Sequence, residues 1–216
     1  MISVTFLYVL ILVLTICIAF SAFLFLVYWR KFRSCYWKWF GVFLAIKAFV
    51  EVATFILSVT NWVNGFDWNF IYSYILFPGE FLFFYWLFYR YFMLSKMRYL
   101  AIISAVVYLI AFLLNSFIFK EKWYAVFWFS YFIGEFFLLC LCFSFFLLDT
   151  SSLPPKRNSM FWVVLGLTFF FSFTSALSFL RLANFNVYLV DLYIIYVFNC
   201  LMYLFFSIGI IWGKIY

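Results

Sequence analysis

The sequence contains no histidine and very little charge. Of its 216 residues only 10% are Asp, Glu, Lys or Arg. The absence of histidine excludes imidazole catalysis, histidine ligation of a metal and a histidine phosphorelay within this chain. The five cysteines lie in apolar runs, apart from Cys35 in a basic loop, and this scatter is not that of a disulfide framework. We therefore expect free thiols and no metal site.

Hydrophobic side chains are what the sequence has in excess. They make up 71% of the residues, and the mean hydropathy is +1.18. A soluble domain averages about 45–50% apolar residues and still leaves roughly a third of its chain surface in water. This composition cannot be hidden in a soluble fold and leaves no room for a separate soluble domain. The sequence therefore predicts an all-α, polytopic membrane protein, with a single transmembrane domain over residues 1–216.

The apolar residues fall into stretches of membrane-spanning length. A spanning helix needs about 20 mostly apolar residues, and seven stretches qualify. The connections between them are short, so neighbouring helices must run antiparallel. Residues typical of helix N-caps precede three of the stretches, namely Asp67, Asn158 and Asn186. The predicted spans cover residues 3–29, 39–60, 68–93, 99–119, 124–148, 159–180 and 187–212.

The basic residues are distributed unevenly between the two sides of these spans. Ten of the 14 Lys and Arg residues fall on one side, which the positive-inside rule makes cytoplasmic. The chain is then predicted to have its amino terminus outside and its carboxyl terminus inside the cell inner membrane. The net charge of +7 is a topology signal and a contact with anionic lipid headgroups, not a nucleic-acid footprint. The ten residues are Arg30, Lys31, Arg33, Lys38, Arg90, Lys96, Arg98, Lys156, Arg157 and Lys214.

A few ionisable residues lie within the predicted spans. Such a group costs about 2.5–3.5 kcal/mol to insert, so each is a candidate for ligand or proton binding. A rise of 1.5 Å per residue places Glu80 and Glu135 near the middle of the bilayer. With one amide of the last span added, the candidate site residues are Lys47, Glu51, Glu80, Glu135, Asp191 and Asn199.

Two of these positions have a local interpretation. Lys47 and Glu51 are four residues apart on one helix face, the spacing of an ion pair that eases insertion. Glu80 follows Pro78, which removes a backbone hydrogen bond, kinks the helix and frees a carbonyl near position 74 for a cavity. Alternatively, Glu80 is a neutral carboxyl that hydrogen-bonds to a neighbouring helix for packing.

The remaining polar residues leave several interpretations open. Acids outnumber the single intramembrane lysine, so they are neutral, line a wet cavity or bind a cation. The matching tripeptides at 79–81 and 134–136 suggest an internal repeat, although chance is the better explanation in so Phe-rich a chain. Asp191 is interpreted as a partner of Arg181 or as a cap. The hydroxyls of the sixth span are interpreted as packing contacts; they belong to Ser172, Thr174, Ser175 and Ser178.

The chain lacks the residues that several functional classes of membrane protein and enzyme require. The last span has no interior lysine for a retinal Schiff base, and no Gly-rich phosphate loop or nucleophile elbow occurs. Cys140 and Cys142 cannot share a helix face as metal ligands. We therefore expect neither a catalytic residue nor a cofactor.

Short segments carry a resemblance to a known group. Residues 76–84 contain a Pro-x-Glu-Phe pattern that resembles small seven-helix membrane proteins common in the Bacteroidota. Residues 158–166 resemble their entry to helix six, and Asn199 with 206–212 resembles their final helix. The chain departs from the group at 169–173, where a more polar stretch is usual. Genes of this group often lie near histidine kinases and response regulators, so the resemblance implies a sensory accessory role.

The leading functional hypothesis is a receptor-like membrane protein. It would bind a small or lipidic ligand from outside through Glu80, with Glu51 and Glu135 as partners. Because the cytoplasmic loops are too short for an output domain, it would signal through a partner such as a histidine kinase or another membrane protein. The alternatives are a small proton-coupled transporter that uses the same acids, and a structural subunit of a membrane complex.

Overall fold

A computed structural model describes residues 4–33, 35–60, 72–118, 123–148, 154–182 and 188–214. Within these ranges every element is helical, apart from one isolated bridge between Asn158 and Lys214, so the all-α class is confirmed. The elements are α1 (Val4–Val27), α2 (Trp29–Phe32), α3 (Lys38–Thr60), a π-helical turn (Tyr72–Leu76), α4 (Phe77–Tyr91), α5 (Arg98–Ile118), α6 (Trp123–Leu148), a 3-10 turn (Pro155–Arg157), α7 (Ser159–Leu182) and α8 (Tyr188–Trp212).

Six of the helices are long and apolar enough to cross a membrane, which makes the chain a multi-pass membrane protein. They correspond to six of the predicted spans. The predicted third span begins outside the described residues, and its described part is helical from Tyr72 to Tyr91. The six spans are Tyr8–Val27, Lys38–Leu57, Arg98–Asn115, Phe129–Leu148, Ser159–Arg181 and Tyr193–Trp212.

The helix break predicted at Pro78 appears as a change of helix type. Pro78 lies in the first turn of α4, and the turn before it is π-helical. A proline has no N–H and its ring clashes with the carbonyl four residues earlier, that of Tyr74. The wider π turn accommodates that carbonyl. The change of helix type therefore lies immediately before Glu80, and the predicted kink itself stays a prediction.

The helices form two compact units. Unit 1 comprises Met1–Phe66, Thr150–Phe170 and Leu192–Tyr216, and unit 2 comprises Asp67–Asp149 and Phe171–Asp191. Unit 1 thus contains α1 to α3, and unit 2 contains α4 to α6. Both α7 and α8 contribute one part to each unit.

In unit 1, α1 and α8 run in the same direction. The Ser21 hydroxyl donates to the Tyr203 carbonyl at 3.0 Å and lies 2.9 Å from the Ser207 hydroxyl. In α2, just past the end of α1, the Lys31 ammonium donates to the Ile210 carbonyl at 2.8 Å. Residue numbers rise together along both helices, so the two are parallel. The small serines permit the close approach that helix pairs in membranes favour.

Two further helix pairs of unit 1, α1 with α3 and α7 with α8, are antiparallel. The Phe25 ring of α1 stacks on Phe32 at 4.8 Å between centroids and meets Phe40 of α3 at 6.5 Å. Between α7 and α8 the contact depends on Gly209, where an added Cβ would lie 2.9 Å from the Cβ of Trp162.

The predicted cap at Asn158 is confirmed, since its side-chain oxygen accepts a hydrogen bond from the Met160 N–H at 2.9 Å. The predicted caps Asp67 and Asn186 lie outside the described residues.

In unit 2, α4 runs parallel to α6 and antiparallel to α5. Along the parallel pair, Phe77 meets Tyr131 at 5.1 Å and Tyr91 meets Phe145 at 5.3 Å. This register places Glu80 at almost the same height as Glu135. The α4–α5 contact is made by Phe81 and Tyr108, whose ring centroids are 5.0 Å apart.

Candidate functional site

Glu135 of α6 is the most deeply buried acid of the described residues. Its exposed fraction is 0%, and neither carboxyl oxygen makes a hydrogen bond of standard geometry within the described part of the chain. A buried polar group without a partner costs about 1–3 kcal/mol, and a charged one costs more. Such a group is stabilised by whatever supplies a hydrogen-bond donor or a positive charge.

On one side, Glu135 faces a polar stripe of α7. The hydroxyls of Thr174 and Ser178 and the guanidinium of Arg181 interact with its carboxyl. Positions 174, 178 and 181 are separated by four and three residues, so they share one face of the helix. Thr174 and Ser178 are both buried. We name these three residues the α7 stripe.

Glu80 and two tyrosines complete the surroundings of Glu135. Glu80 is buried and interacts electrostatically with Tyr108 of α5 and Tyr131 of α6. Tyr131 also interacts with Glu135 and Arg181. Four helices, α4 to α7, therefore contribute polar groups to one buried centre. We call it the carboxyl centre, consisting of Glu80, Tyr108, Tyr131, Glu135 and the α7 stripe.

Packing between α4 and α6 fixes the position of the carboxyl centre. The Tyr85 hydroxyl donates a hydrogen bond to the Gly134 carbonyl at 2.8 Å. The Phe81 ring lies so close to Gly134 that an added Cβ would be 2.9 Å from it. A side chain larger than hydrogen at position 134 would push α4 away from α6. The residue before Glu135 is thus a glycine for a steric reason.

The other ionisable candidates belong to unit 1. The Lys47 ammonium lies 3.6 Å from a carboxyl oxygen of Glu51, so the predicted ion pair is confirmed. Glu51 also interacts electrostatically with Tyr196 of α8. Lys47 is buried. The charge of Glu51 is therefore balanced within its own helix, and its described partners lie in unit 1.

Two further candidates have a limited structural description. Asn199 lies on α8, where its side-chain oxygen is buried and has no hydrogen-bond partner among the described residues. Asp191 also lies on α8, but its side chain is outside the described residues. Its predicted pairing with Arg181 stays a prediction.

The two matching tripeptides occupy different environments despite the parallel course of α4 and α6. An added Cβ at Gly79 would meet nothing within 4 Å, whereas one at Gly134 would meet the Phe81 ring. Phe81 is buried, but its counterpart Phe136 is half exposed. These differences favour the interpretation of the repeat as chance.

Several residues of the carboxyl centre were not singled out from the sequence. Thr174 and Ser178 had been interpreted as packing contacts, and Arg181 as a partner of Asp191. The spacing 174, 178, 181 could have identified them, because it places three polar groups on one helix face. No such signal marks Tyr108 or Tyr131, since aromatic residues make up 30% of the chain.

Comparisons with protein-family models, with curated proteins and with solved structures give no match for this chain. Among the side chains that the structure describes, no group of three or more His, Cys, Asp or Glu is placed to hold a metal ion. All five cysteines are free.

The ion pair of unit 1 gives a testable contrast. We expect Glu51→Gln to lower the free energy of unfolding by about 3 kcal/mol, because it leaves the buried Lys47 charge without its carboxylate. The double variant K47M/E51M removes both charges and is expected to stay within about 1 kcal/mol of the wild type or above it. Unfolding measured by steric trapping in bicelles compares the two. Equal stability of E51Q and K47M/E51M would contradict the pairing.

Proposed function

We propose that this chain is a receptor-like membrane protein that binds a small ligand at the carboxyl centre and signals through a partner protein. The ligand supplies a hydrogen-bond donor or a positive charge to Glu135. Glu80 is the second acceptor, at nearly the same height. The partner is a histidine kinase or another membrane protein, because the short connections leave no place for an output domain.

One observation carries this proposal. Glu135 is fully buried, and both of its carboxyl oxygens lack a standard hydrogen bond within the described residues. A carboxyl retained only for packing is expected to be satisfied, as Glu51 is by Lys47. An unsatisfied buried acceptor in a membrane is instead a candidate binding group. The resemblance to proteins encoded near two-component signalling genes supports a sensory role.

The proposal includes seven spans, with the amino terminus outside and the carboxyl terminus inside the inner membrane. Two parallel helix pairs support this count. Because α1 and α8 run in the same direction, the two ends of the chain lie on opposite sides if both helices cross the membrane. An odd number of spans is then required. Because six helices already qualify as spans, α4 is the candidate for the seventh. Its contacts with α6 extend from Phe77 to Tyr91, so it accompanies a spanning helix over about 20 Å.

Epitope tags test the topology. We expect an amino-terminal tag to be reached by antibody on intact cells with the outer membrane removed, and a carboxyl-terminal tag only after permeabilisation. A third tag inserted at Leu94, in the exposed turn after α4, is expected to behave like the carboxyl-terminal one. If α4 does not cross, only two spans separate the amino terminus from Leu94, so the Leu94 tag and the carboxyl-terminal tag will lie on the same side of the membrane as the amino-terminal tag.

A proton-coupled carrier is the second candidate function. The complete burial of Glu135 favours it, since a proton is the one ligand that needs no open cavity. A carrier would work without a partner chain. The presence or absence of a partner therefore separates the two functions.

Native mass spectrometry of the chain, extracted gently from its own membrane, tests the receptor proposal. We expect a second polypeptide bound in a fixed ratio. Glu135→Gln places an amide donor in the centre and imitates the ligand-bound state. It is therefore expected to change the occupancy of the partner by about fivefold or more, the usual size of an allosteric coupling.

The matched control for this experiment is K47M/E51M, which removes an intramembrane carboxyl from unit 1 together with its cation. Its partner occupancy is expected to equal that of the wild type. A chain that is always alone would contradict the receptor function and favour the carrier. A partner bound equally by E135Q and wild type would show that the carboxyl centre does not control signalling.

A further inference from the structure

The α7 stripe connects Glu135 with one end of its helix. Arg181 is near the carboxyl-terminal end of α7, which is the outer end in the proposed orientation. Ser178 lies about one turn deeper and Thr174 about one turn deeper again, so the stripe covers about 10 Å along the helix. Each residue carries a group that donates hydrogen bonds, and the two hydroxyls also accept them.

The dimensions of this connection restrict what can use it. Ser178 is 1% exposed, Thr174 2% and Glu135 0%. A molecule larger than a proton could not pass along the stripe unless α6 and α7 separated. A proton can move between hydroxyl groups by rotation and exchange of hydrogen bonds, without any opening of the helices.

The opposite direction from Glu135 is apolar. Following Glu135, α6 continues towards the cytoplasmic side in the proposed orientation. The buried residues on this part of the helix are Leu138, Leu141 and Cys142, each 0% exposed, and Phe145, 1% exposed. Of these side chains only the Cys142 thiol carries a proton on a heteroatom, and no hydroxyl or carboxyl is among them. The carboxyl centre therefore has polar access from the α7 side.

We infer that the ligand of the carboxyl centre is a proton, which enters from the outer face beside Arg181 and reaches Glu135 through the hydroxyls of Ser178 and Thr174. This inference rests on the proposed function and names both its ligand and the side from which that ligand comes. In the step itself, a hydronium ion at the outer surface gives up a proton to the stripe. The hydroxyls relay it, and the Glu135 carboxylate becomes a carboxylic acid.

The other groups around Glu135 define how it titrates. Tyr131 interacts with it from the same helix, and Arg181 on α7 carries a permanent positive charge. Glu80 of α4 and Tyr108 of α5 interact with Tyr131. Tyrosine hydroxyls do not ionise in the physiological range. Arg181 stabilises the carboxylate after the proton has left.

Proton release on one side of a membrane tests the route. The chain is reconstituted in sealed vesicles of known orientation, with the impermeant photoacid pyranine either outside or inside. After a flash, time-resolved infrared spectroscopy follows the carbonyl band of the protonated carboxyl, which is assigned by its loss in E135Q. We expect the band to rise promptly when protons are released at the outer face, and much more slowly when they are released at the inner face.

Two double variants provide the matched comparison. T174V/S178A removes the hydroxyls of the stripe with little change in size, and we expect it to slow the outer response by roughly tenfold or more. S172A/S175A removes two hydroxyls from other faces of the same helix and is expected to respond like the wild type. The single variant S178A is measured as well, so that a folding defect in the double variant does not decide the result.

Two results would overturn the inference: an equally fast response to protons from the inner face, or an unchanged outer rate in T174V/S178A. Either leaves the proposed function intact, since Glu135 would still bind a proton. A carboxyl band that persists unchanged in E135Q would instead contradict the proposed function itself.

Discussion

The cost of holding a carboxyl group in an apolar interior without hydrogen bonds is the constraint on which unit 2 depends. A charge at membrane depth costs about 2.5–3.5 kcal/mol on insertion scales. Within the described residues, no hydrogen bond of standard geometry to the Glu135 carboxyl offsets this cost. Around it, the Phe81 ring packs on Gly134, Tyr85 bonds to the carbonyl of Gly134, and α7 presents hydroxyls and a guanidinium. These contacts position the carboxyl.

In unit 1 the cost of placing charged groups in the membrane is offset in a different way. Its intramembrane lysine has a carboxylate one helical turn away, so both charges enter the membrane as a pair. The seam between α1 and α8 is made by serine hydroxyls that bond to each other and to a backbone carbonyl. Polar groups in this unit serve the folded structure. The contrast with Glu135 is the reason for assigning the binding function to unit 2.

Most of the fold could be predicted from the sequence, because apolar run length determines a spanning helix. The helix break before Glu80 and the cap at Asn158 were also predictable, since proline and asparagine act locally. Which acids meet was not predictable. Helix order does not determine which faces pack. Glu51 pairs with Lys47 and interacts with Tyr196, and its expected meeting with Glu80 and Glu135 stays a prediction. The one-turn segment Trp29–Phe32 was likewise missed within a predicted connection.

The tyrosines of the carboxyl centre could not be distinguished in a chain so rich in aromatic residues. The α7 stripe could have been found, but Thr174 and Ser178 are also the residue types that pack helices in membranes. Only the position of Glu135 opposite them separates the two roles. A site of this kind is defined by contacts between helices, and the sequence specifies those contacts only indirectly.

The free energy of unfolding of Glu135→Gln, measured by steric trapping in bicelles without added ligand, tests most directly whether this carboxyl is a binding group. A residue kept for binding and not for stability should be improved by a neutral amide of the same shape. We therefore predict that E135Q is about 1–2 kcal/mol more stable than the wild type. A variant that is less stable than the wild type by a similar amount would show that Glu135 is a structural contact, and would contradict its role as the binding group of the carboxyl centre.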